Sequence, residues 1–398
     1  MRKFGLLLAA SLIFMSVSAQ DDTNYKEFEF TNKVNIKTTP VKDQQRTGTC
    51  WSFATTSFIE TELLRMGYGE VDLSEMYFAR HGYENKAMQY FRYQGNNNFG
   101  QGGQAHDVLN VVKQWGFVPE NAYMALNYGE TIHVHGEMEA SLLGVLDAVI
   151  KNKNRKVTPV WFDAYKSILD TYLGSEPTNF AVNNKTFASA KDFQNHTKFN
   201  TDDYIEITSY NHHPYYSQFV LEIPDNWSHD LYYNLPIEDL IAVMDNAVAN
   251  GYSVCWDGDV SEKGFSHKNG LMILPASQVE EIADSEKLKW EKLSDEDRAK
   301  QMYSFTAPVP EINVTQENRQ ENFDNYKSTD DHLMHLVGTA KDKNGTKYYL
   351  IKNSWNTDSN NMGGYLYMSE SYAKMKTVAI MIHKKALPKA IAKKLGIK

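Results

Sequence analysis

A cysteine, a histidine and an asparagine stand in an order that can support nucleophilic catalysis. Cys50 comes early in the chain, His332 lies far downstream and Asn353 follows shortly after it. A thiolate attacks a carbonyl carbon, an imidazole transfers the proton, and an amide holds the imidazole in place. Because Cys50 and Cys255 are the only two thiols, the choice of nucleophile is narrow. The set predicts a cysteine nucleophile, its base and the group that orients the base.

Two neighbouring features would activate this cysteine. Gln44 precedes Cys50 by six residues, and a helix is predicted to begin at Cys50. The unpaired N–H groups and the dipole at a helix start favour negative charge, so we expect a thiolate beside a His332 imidazolium. The Gln44 amide and the Cys50 backbone N–H are expected to form an oxyanion hole. Trp355 is expected to shield the His332–Asn353 hydrogen bond from water.

Other candidate residues have simpler interpretations. Cys255 lies on a predicted strand and is interpreted as a core residue. His335 lies on the strand face opposite His332 and would be a poor base. The histidine runs at 133–135 and 212–213 have no carboxylate or cysteine at ligand spacing, so neither a metal nor an organic cofactor is predicted.

The start of the chain is predicted to be a secretory signal peptide. Residues 1–19 combine a basic start, an apolar run and small residues before a cleavage site at Ala19. This segment is too short and wrongly flanked to span a membrane, and no later stretch is long and apolar enough. We therefore expect a protein that is exported, either periplasmic or secreted.

Composition indicates a globular protein with an acidic surface. The 398 residues are 42% hydrophobic, enough for a sizeable core in one large or two smaller domains. The net charge is −9. Removal of two basic residues with the signal leaves 39 basic against 50 acidic side chains, or −11. This balance argues against nucleic acid or an anionic membrane as the main partner.

The elements that position these residues are predicted to form an α+β fold with a helical half and a β-rich half. Helices are predicted over about 50–66, 104–115 and 236–250, with a charged helical segment at 277–304 in which Ser294 is an N-cap. A strand is predicted at 252–256. Residues 125–205 are interpreted as an inserted, mostly helical subdomain, and 384–398 as a basic C-terminal tail.

A predicted hairpin brings two of the catalytic candidates together. Strands over 332–340 and 348–353 flank an Asn344-Gly345 turn, a strong hairpin signal. Pairing about this turn places His332 near Asn353. The cleft between the helical half, with Cys50, and the β-rich half is the expected site.

Several stretches resemble the papain-like cysteine peptidases, specifically the branch of bleomycin hydrolase and bacterial aminopeptidase C. The matching stretches are 44–54, 102–104, 221–227, 254–260, 331–334, 353–355 and 363–365. The resemblance implies a two-lobe papain-like fold. It also implies that Cys50 is the nucleophile, His332 the general base and acid, Asn353 the orienting group and Gln44 the oxyanion donor.

The same resemblance implies how peptides bind. Gly102 and Gly103 would offer a bare backbone to an extended peptide substrate, with Trp355 beside it. The chain departs from the family pattern at Thr47, where secreted relatives have cysteine, and at Asn356, where glycine is usual.

The resemblance further implies an aminopeptidase acting on short peptides, with no cofactor, inside a homohexamer. In this branch a C-terminal arm enters the cleft and pairs with the substrate's amino end, but the tail here is short and basic. An endopeptidase with an open cleft and a catalytically silent peptide-binding paralogue therefore remain as alternatives.

Overall fold

The computed structural model describes residues 27–153, 156–276, 287 and 290–397. The predicted signal peptide and most of the first half of the predicted helical segment at 277–304 lie outside these residues. Helices in the described part are α1 (Cys50–Arg65), α2 (Glu75–Arg92), α3 (Ala105–Gln114), α4 (Gly136–Ile150), α5 (Trp161–Leu173), α6 (Ala190–Thr197), α7 (Ile237–Ala249), α8 (Asp295–Met302), α9 (Gln316–Asp324), α10 (Glu370–Lys376) and α11 (Lys389–Leu395).

The strands build one large mixed sheet and one small hairpin. They are β1 (Thr31–Asn35), β2 (Phe180–Val182), β3 (Lys185–Phe187), β4 (Tyr204–Thr208), β5 (Gln218–Val220), β6 (Leu231–Asn234), β7 (Val254–Gly258), β8 (Phe265–Ser266), β9 (Leu271–Met272), β10 (His332–Lys341), β11 (Lys347–Lys352), β12 (Tyr365–Ser369) and β13 (Thr377–His383). The large sheet has the order β5-β6-β4-β13-β7-β10-β11-β12-β9-β8, with β1 beside the far end of β10. β10 therefore lies near the middle, between β7 and β11.

The two faces of this sheet carry different cores, because successive strand residues point to opposite faces. Cys255 and Leu333 pack with the apolar residues of α1, α2 and α3. Trp256 and Met334 pack on the other face, against α7, α10 and α11. The helical half (α1, α2 and α3) therefore lies on one side of β7 and β10, and α7, α10 and α11 lie on the other.

Helix α1 begins at Cys50 and is buried over almost its whole length. The Thr49 side chain does not cap it and contacts the Thr47 hydroxyl instead. The N–H groups of the first turn therefore have no side-chain acceptor at Thr49, which leaves the start of α1 able to stabilise negative charge.

Residues 125–205 contain α4, α5, α6 and the β2–β3 hairpin. Leu142, Tyr165 and Phe193 are buried in the same core as α1, α2 and α3. This segment therefore extends the helical half of the molecule.

The basic C-terminal segment packs away from Cys50. Leu387 and Ile391 are buried against α7, and Asn246 Nδ2 donates to the Ala386 carbonyl at 2.7 Å. α7 lies on the sheet face opposite the helical half. Within the described ranges, no helix is both long enough and apolar enough to cross a bilayer.

Candidate active site

The β10–β11 hairpin brings His332 and Asn353 into contact, as predicted. β10 pairs with β11 in a register that sets His335 opposite Lys352, so Asn353 lies just past the end of β11. His332 Nε2 and Asn353 Oδ1 are 2.8 Å apart. The Ser354 N–H also donates to Asn353 Oδ1, at 2.8 Å, which fixes this oxygen as an acceptor. His332 must then donate from Nε2, so its Nδ1 is left to accept a proton.

Trp355 covers this pair. Its ring centroid lies 4.7 Å from that of His332, at an interplanar angle of 35°. His332 is only 4% exposed. The indole therefore excludes water from the side of the His332–Asn353 hydrogen bond. His335, by contrast, accepts or donates at Ser57 and contacts Phe58 on the other face of β10.

Cys50 lies beside β10. Its thiol is hydrogen-bonded to the backbone of Leu333, the residue after His332. Burial raises the pKa of the Cys50 thiol to about 12, and the Leu333 backbone opposes that rise. Burial also lowers the pKa of His332 to about 4, although the Asn353 hydrogen bond opposes this shift. Burial therefore favours a neutral thiol and a neutral imidazole and opposes the expected thiolate–imidazolium pair, which stays a prediction.

Gln44 is fixed between the loop before α1 and the segment after β11. Its backbone N–H donates to the Ser354 carbonyl at 2.9 Å, and its Oε1 accepts from Ser354 Oγ at 2.8 Å. Its Nε2 donates to the Thr47 carbonyl at 2.8 Å. The second hydrogen on Nε2 remains for another acceptor, which is what an oxyanion donor requires.

Comparisons with known proteins agree with this arrangement. The profile of the papain family cysteine proteases matches residues 26–198, and that of the Peptidase C1-like family matches residues 298–397. The chain belongs to the papain-like cysteine peptidases. The α+β class and the papain-like fold are thereby confirmed.

Named relatives of this peptidase support the predicted branch, that of bleomycin hydrolase and bacterial aminopeptidase C. Aminopeptidase G of Lactobacillus delbrueckii subsp. lactis is 21% identical over 89% of this chain and 83% of its own. Aminopeptidase W of the same organism is 21% identical over 91% of this chain and 84% of its own. The crystal structure of PepW from Lactobacillus rhamnosis HN001 superposes with a TM-score of 0.69 at 18% identity, covering 92% of this chain and 84% of that one.

The two glycines expected to line the cleft of this peptidase have unexpected neighbours. The Gly102 carbonyl accepts a hydrogen bond from Lys86, and a Cβ on Gly102 would lie 1.9 Å from Asp225 Oδ2. A Cβ on Gly103 would lie 3.1 Å from the Trp51 ring. Asp225 therefore occupies the space beside Gly102 that a side chain at this position would need.

Sequence reasoning missed His267, which follows β8. Its Nδ1 accepts a hydrogen bond from Asn353 Nδ2 at 3.1 Å, and its Nε2 lies 2.6 Å from Ser359 Oγ. Its ring also packs against Trp355, with 5.0 Å between centroids. His267 thus fixes the orientation of the Asn353 amide, which in turn orients His332. Nothing in its spacing from the other site residues marks it in the sequence.

The departure at Asn356 is explained by local conformation. Its φ of +73° and ψ of 149° fall in a region that favours glycine. The Asn356 side chain accepts from the Asp358 N–H at 3.2 Å, which partly offsets the strain. Asparagine therefore adopts the turn for which the family usually has glycine.

The fold brings a carboxylate into contact with the histidine pair at 212–213, which the sequence spacing did not predict. Glu222 accepts from His212 Nε2 at 3.1 Å and from His213 Nε2 at 2.7 Å. Gln320 Oε1 accepts from the Asn211 N–H, so its Nε2 must donate to His212 Nδ1. His212 therefore carries its hydrogen on Nε2, where it donates to Glu222. This tautomer satisfies the cluster by hydrogen bonds within the protein.

Proposed function

We propose that this protein is a cysteine aminopeptidase that removes residues from the free amino ends of short peptides. One observation carries the proposal. A thiol at the start of a buried helix contacts the strand that holds a histidine, and that histidine is hydrogen-bonded to an asparagine under a tryptophan. The relatives named aminopeptidase G and aminopeptidase W support the choice of exopeptidase action.

The first half-reaction forms an acyl-enzyme. His332 Nδ1 accepts the proton of the Cys50 thiol as the sulfur attacks the carbonyl carbon of the first peptide bond. The resulting oxyanion accepts from the second Nε2 hydrogen of Gln44 and from the Cys50 N–H, which has no partner within α1. His332, now an imidazolium stabilised by Asn353, returns its proton to the leaving amine. The C–N bond breaks and a thioester remains.

The second half-reaction releases the first residue. His332 accepts a proton from a water molecule, whose oxygen attacks the thioester carbonyl. The same oxyanion donors stabilise the second tetrahedral intermediate. Its collapse breaks the C–S bond, and His332 returns the proton to the Cys50 sulfur. The cycle thus ends with the proton back on Cys50, in the neutral form that burial favours for both the thiol and the imidazole.

Mass spectrometry of a digested peptide mixture tests this function. The proposal predicts ladders that shorten by one residue at a time from the amino end, and no cleavage of peptides whose amino end is acetylated. Internal fragments would instead establish endopeptidase action. An epoxysuccinyl inhibitor should label Cys50 and stop the reaction, in wild type and in a Cys255→Ala control. A protein that hydrolyses nothing and takes no label on Cys50 would be the silent paralogue.

We also propose that residues 1–19 direct export and that the mature protein assembles into a homohexamer. The export proposal is supported by the sequence pattern of those residues, and the hexamer only by resemblance to the branch. N-terminal sequencing of protein recovered outside the cytoplasm should begin at Gln20, and an intact Met1 would contradict cleavage. Sedimentation equilibrium should give six chains per particle, whereas a monomer at micromolar concentration would contradict the hexamer.

A further inference from the structure

Three carboxyl groups that the mechanism does not use lie together beside Cys50. Asp257 is on β7, Asp330 comes just before β10, and Asp225 is in the loop before β6. Asp257 pairs in the sheet with Leu333, the residue whose backbone contacts the Cys50 thiol. After burial, the negative charges of the three carboxylates are what raise the pKa of that thiol further. They therefore lie within electrostatic range of the nucleophile.

Asp257 forms the floor of this group. It is 3% exposed, and within the part of the chain that the structure describes neither of its carboxyl oxygens accepts a hydrogen bond from an amide, hydroxyl or ammonium group. Its partner is Asp330: burial, the negative charge of Asp330 and a hydrogen bond to it raise the pKa of Asp257 well above its usual value, so a protonated Asp257 donates to Asp330. Two buried carboxyl groups that share one proton are costly to ionise, and strongly perturbed groups of this kind concentrate at functional sites.

Asp225 and Asp330 form the partly exposed rim. Asn98 Nδ2 donates to Asp225 Oδ1 at 2.9 Å, and Gln104 Nε2 donates to Asp330 Oδ2 at 2.8 Å. In each carboxylate these bonds engage one oxygen. Lys86 attracts Asp225 electrostatically, but its ammonium donates to the carbonyls at Gly100 and Gly102. Burial raises the pKa of both rim carboxyl groups, and a cation bound beside them would favour their ionised forms.

We propose that these three residues, here called the acidic pocket (Asp225, Asp257 and Asp330), bind the α-ammonium group of the substrate. This inference rests on the aminopeptidase function proposed above and gives it a structural cause. An α-ammonium is two bonds from the carbonyl carbon that Cys50 attacks, so it must lie close to the nucleophile. It offers three charged N–H donors to three carboxyl groups that have only two amide donors and one shared proton among the hydrogen bonds described above.

The same residues would reject a blocked amino end. An acetyl group or a preceding residue would have to continue past the ammonium position, over the face of Gly102. Asp225 occupies that face, at 1.9 Å from where a Cβ would lie. A neutral amide would also leave the carboxylates without a cation, which adds an electrostatic penalty to the steric one.

The C-terminal segment is placed elsewhere. Residues 384–397 pack against α7, on the far face of the sheet, and the Ile397 N–H donates back to the Ala392 carbonyl. The acidic pocket is therefore formed by the body of the enzyme, in the place where a C-terminal arm was expected to act.

Matched substrates test the acidic pocket. Leucine 7-amido-4-methylcoumarin and its N-acetyl form would be compared in wild type and in Asp330→Asn and Asp225→Asn, two isosteric variants on the rim. The expected result is a loss of about 10- to 100-fold in kcat/KM for the free-amine substrate, with no change in any residual hydrolysis of the acetylated one. Melting temperatures would show that the variants fold. Controls are Asp163→Asn, on the exposed side of α5, and a chain ending at Leu395, both of which should keep the wild-type ratio.

The outcomes separate the two proposals. If both rim variants keep the wild-type preference for the free amine, the acidic pocket is overturned while the aminopeptidase function stands. If wild type itself hydrolyses the acetylated substrate as well as the free one, the proposed function fails and the pocket falls with it. If the chain ending at Leu395 has a changed ratio of kcat/KM between the free-amine and acetylated substrates, the C-terminal tail binds the substrate amine and the acidic pocket is overturned.

Discussion

The two sides of Cys50 differ in how completely their polar groups are satisfied. On one side His332 and Asn353 are joined by a hydrogen bond, covered by Trp355 and held from behind by His267. On the other side the acidic pocket contains a buried carboxyl group, Asp257, that receives no amide, hydroxyl or ammonium donor in the described part of the chain and is hydrogen-bonded to a second carboxyl group, Asp330. The groups that carry out chemistry are thus held in advance. The groups that we expect to bind substrate lack the partner that substrate supplies.

Removing the sulfur should have the largest effect. Cys50→Ala should lower kcat/KM by on the order of 10⁴-fold or more, because no other group in the site can form the thioester. Cys255→Ala is the matched control. That thiol is buried on β7 near Thr55 and should change stability but leave kcat/KM within about threefold. Undiminished hydrolysis by Cys50→Ala would rule out the assignment of the nucleophile.

The protonation states of Cys50 and His332 can be tested without substrate. A peptide substrate would complicate the pH profile, because its own α-amine titrates at ~8. With a neutral resting pair, alkylation of Cys50 by iodoacetamide should accelerate as pH rises above 9 towards the thiol pKa of about 12. An ion pair would already react at full rate near neutrality. Mass spectrometry of the Cys50 peptide measures the rate, with Cys255 as internal reference. A plateau between pH 6 and pH 9 would restore the thiolate–imidazolium description.

His267 should have a smaller effect that is confined to the chemical step. His267→Ala removes the acceptor of the Asn353 amide, so kcat should fall about 5- to 10-fold while KM stays within twofold. His267→Gln, which can accept the same hydrogen bond, should recover part of the rate. Equal losses in the two variants would indicate that His267 only packs against Trp355.

The carboxyl group of Asp330, in the acidic pocket, should lower the free energy of unfolding when it is ionised. The pKa of Asp330 in the folded protein, about 7, lies above its unfolded value of ~3.9, because of burial and the charge of Asp225. Between these pH values the folded state holds more protons than the unfolded state, so the free energy of unfolding falls as pH rises.

An amide in place of this carboxyl group cannot ionise, so Asp330→Asn should be the more stable protein at pH 8, by at least about 1 kcal/mol, and the gap should close at pH 4. Urea unfolding at the two pH values measures this difference. Asp163→Asn is the control and should show little dependence on pH. A variant that is less stable than wild type at pH 8 would mean that the carboxylate is already satisfied in the free enzyme.

Short-range sequence patterns were sufficient to predict the side of the site that contains His332 and Asn353. The Asn344-Gly345 turn fixes the β10–β11 hairpin, and pairing around it determines that His332 meets Asn353. The start of α1 at Cys50 and the N-cap at Ser294 also agree with prediction. These features depend on residues close together in sequence, so pattern and turn chemistry are sufficient to find them.

The acidic side could not be predicted in this way. Asp225, Asp257 and Asp330 come from three distant segments, and only the packing of the sheet against the helical half brings them together. No helix was predicted over 75–92, because α2 buries charged residues such as Arg80 and Glu84 along with its apolar ones, which hides the helical period. The burial that opposes the expected ion pair could not be predicted for a related reason, since burial depends on the whole fold.

Alkylation of Cys50 by a substrate-like reagent tests the nucleophile and the acidic pocket in one measurement. Leucine chloromethyl ketone, with a free amine, and its N-acetyl form would be incubated separately with the enzyme at neutral pH, and the rate and site of alkylation followed by mass spectrometry. We expect a single adduct on Cys50 that forms much faster with the free-amine reagent, and we expect Asp330→Asn to reduce this advantage. Equal rates for the two reagents, or an adduct on Cys255 in place of Cys50, would contradict it.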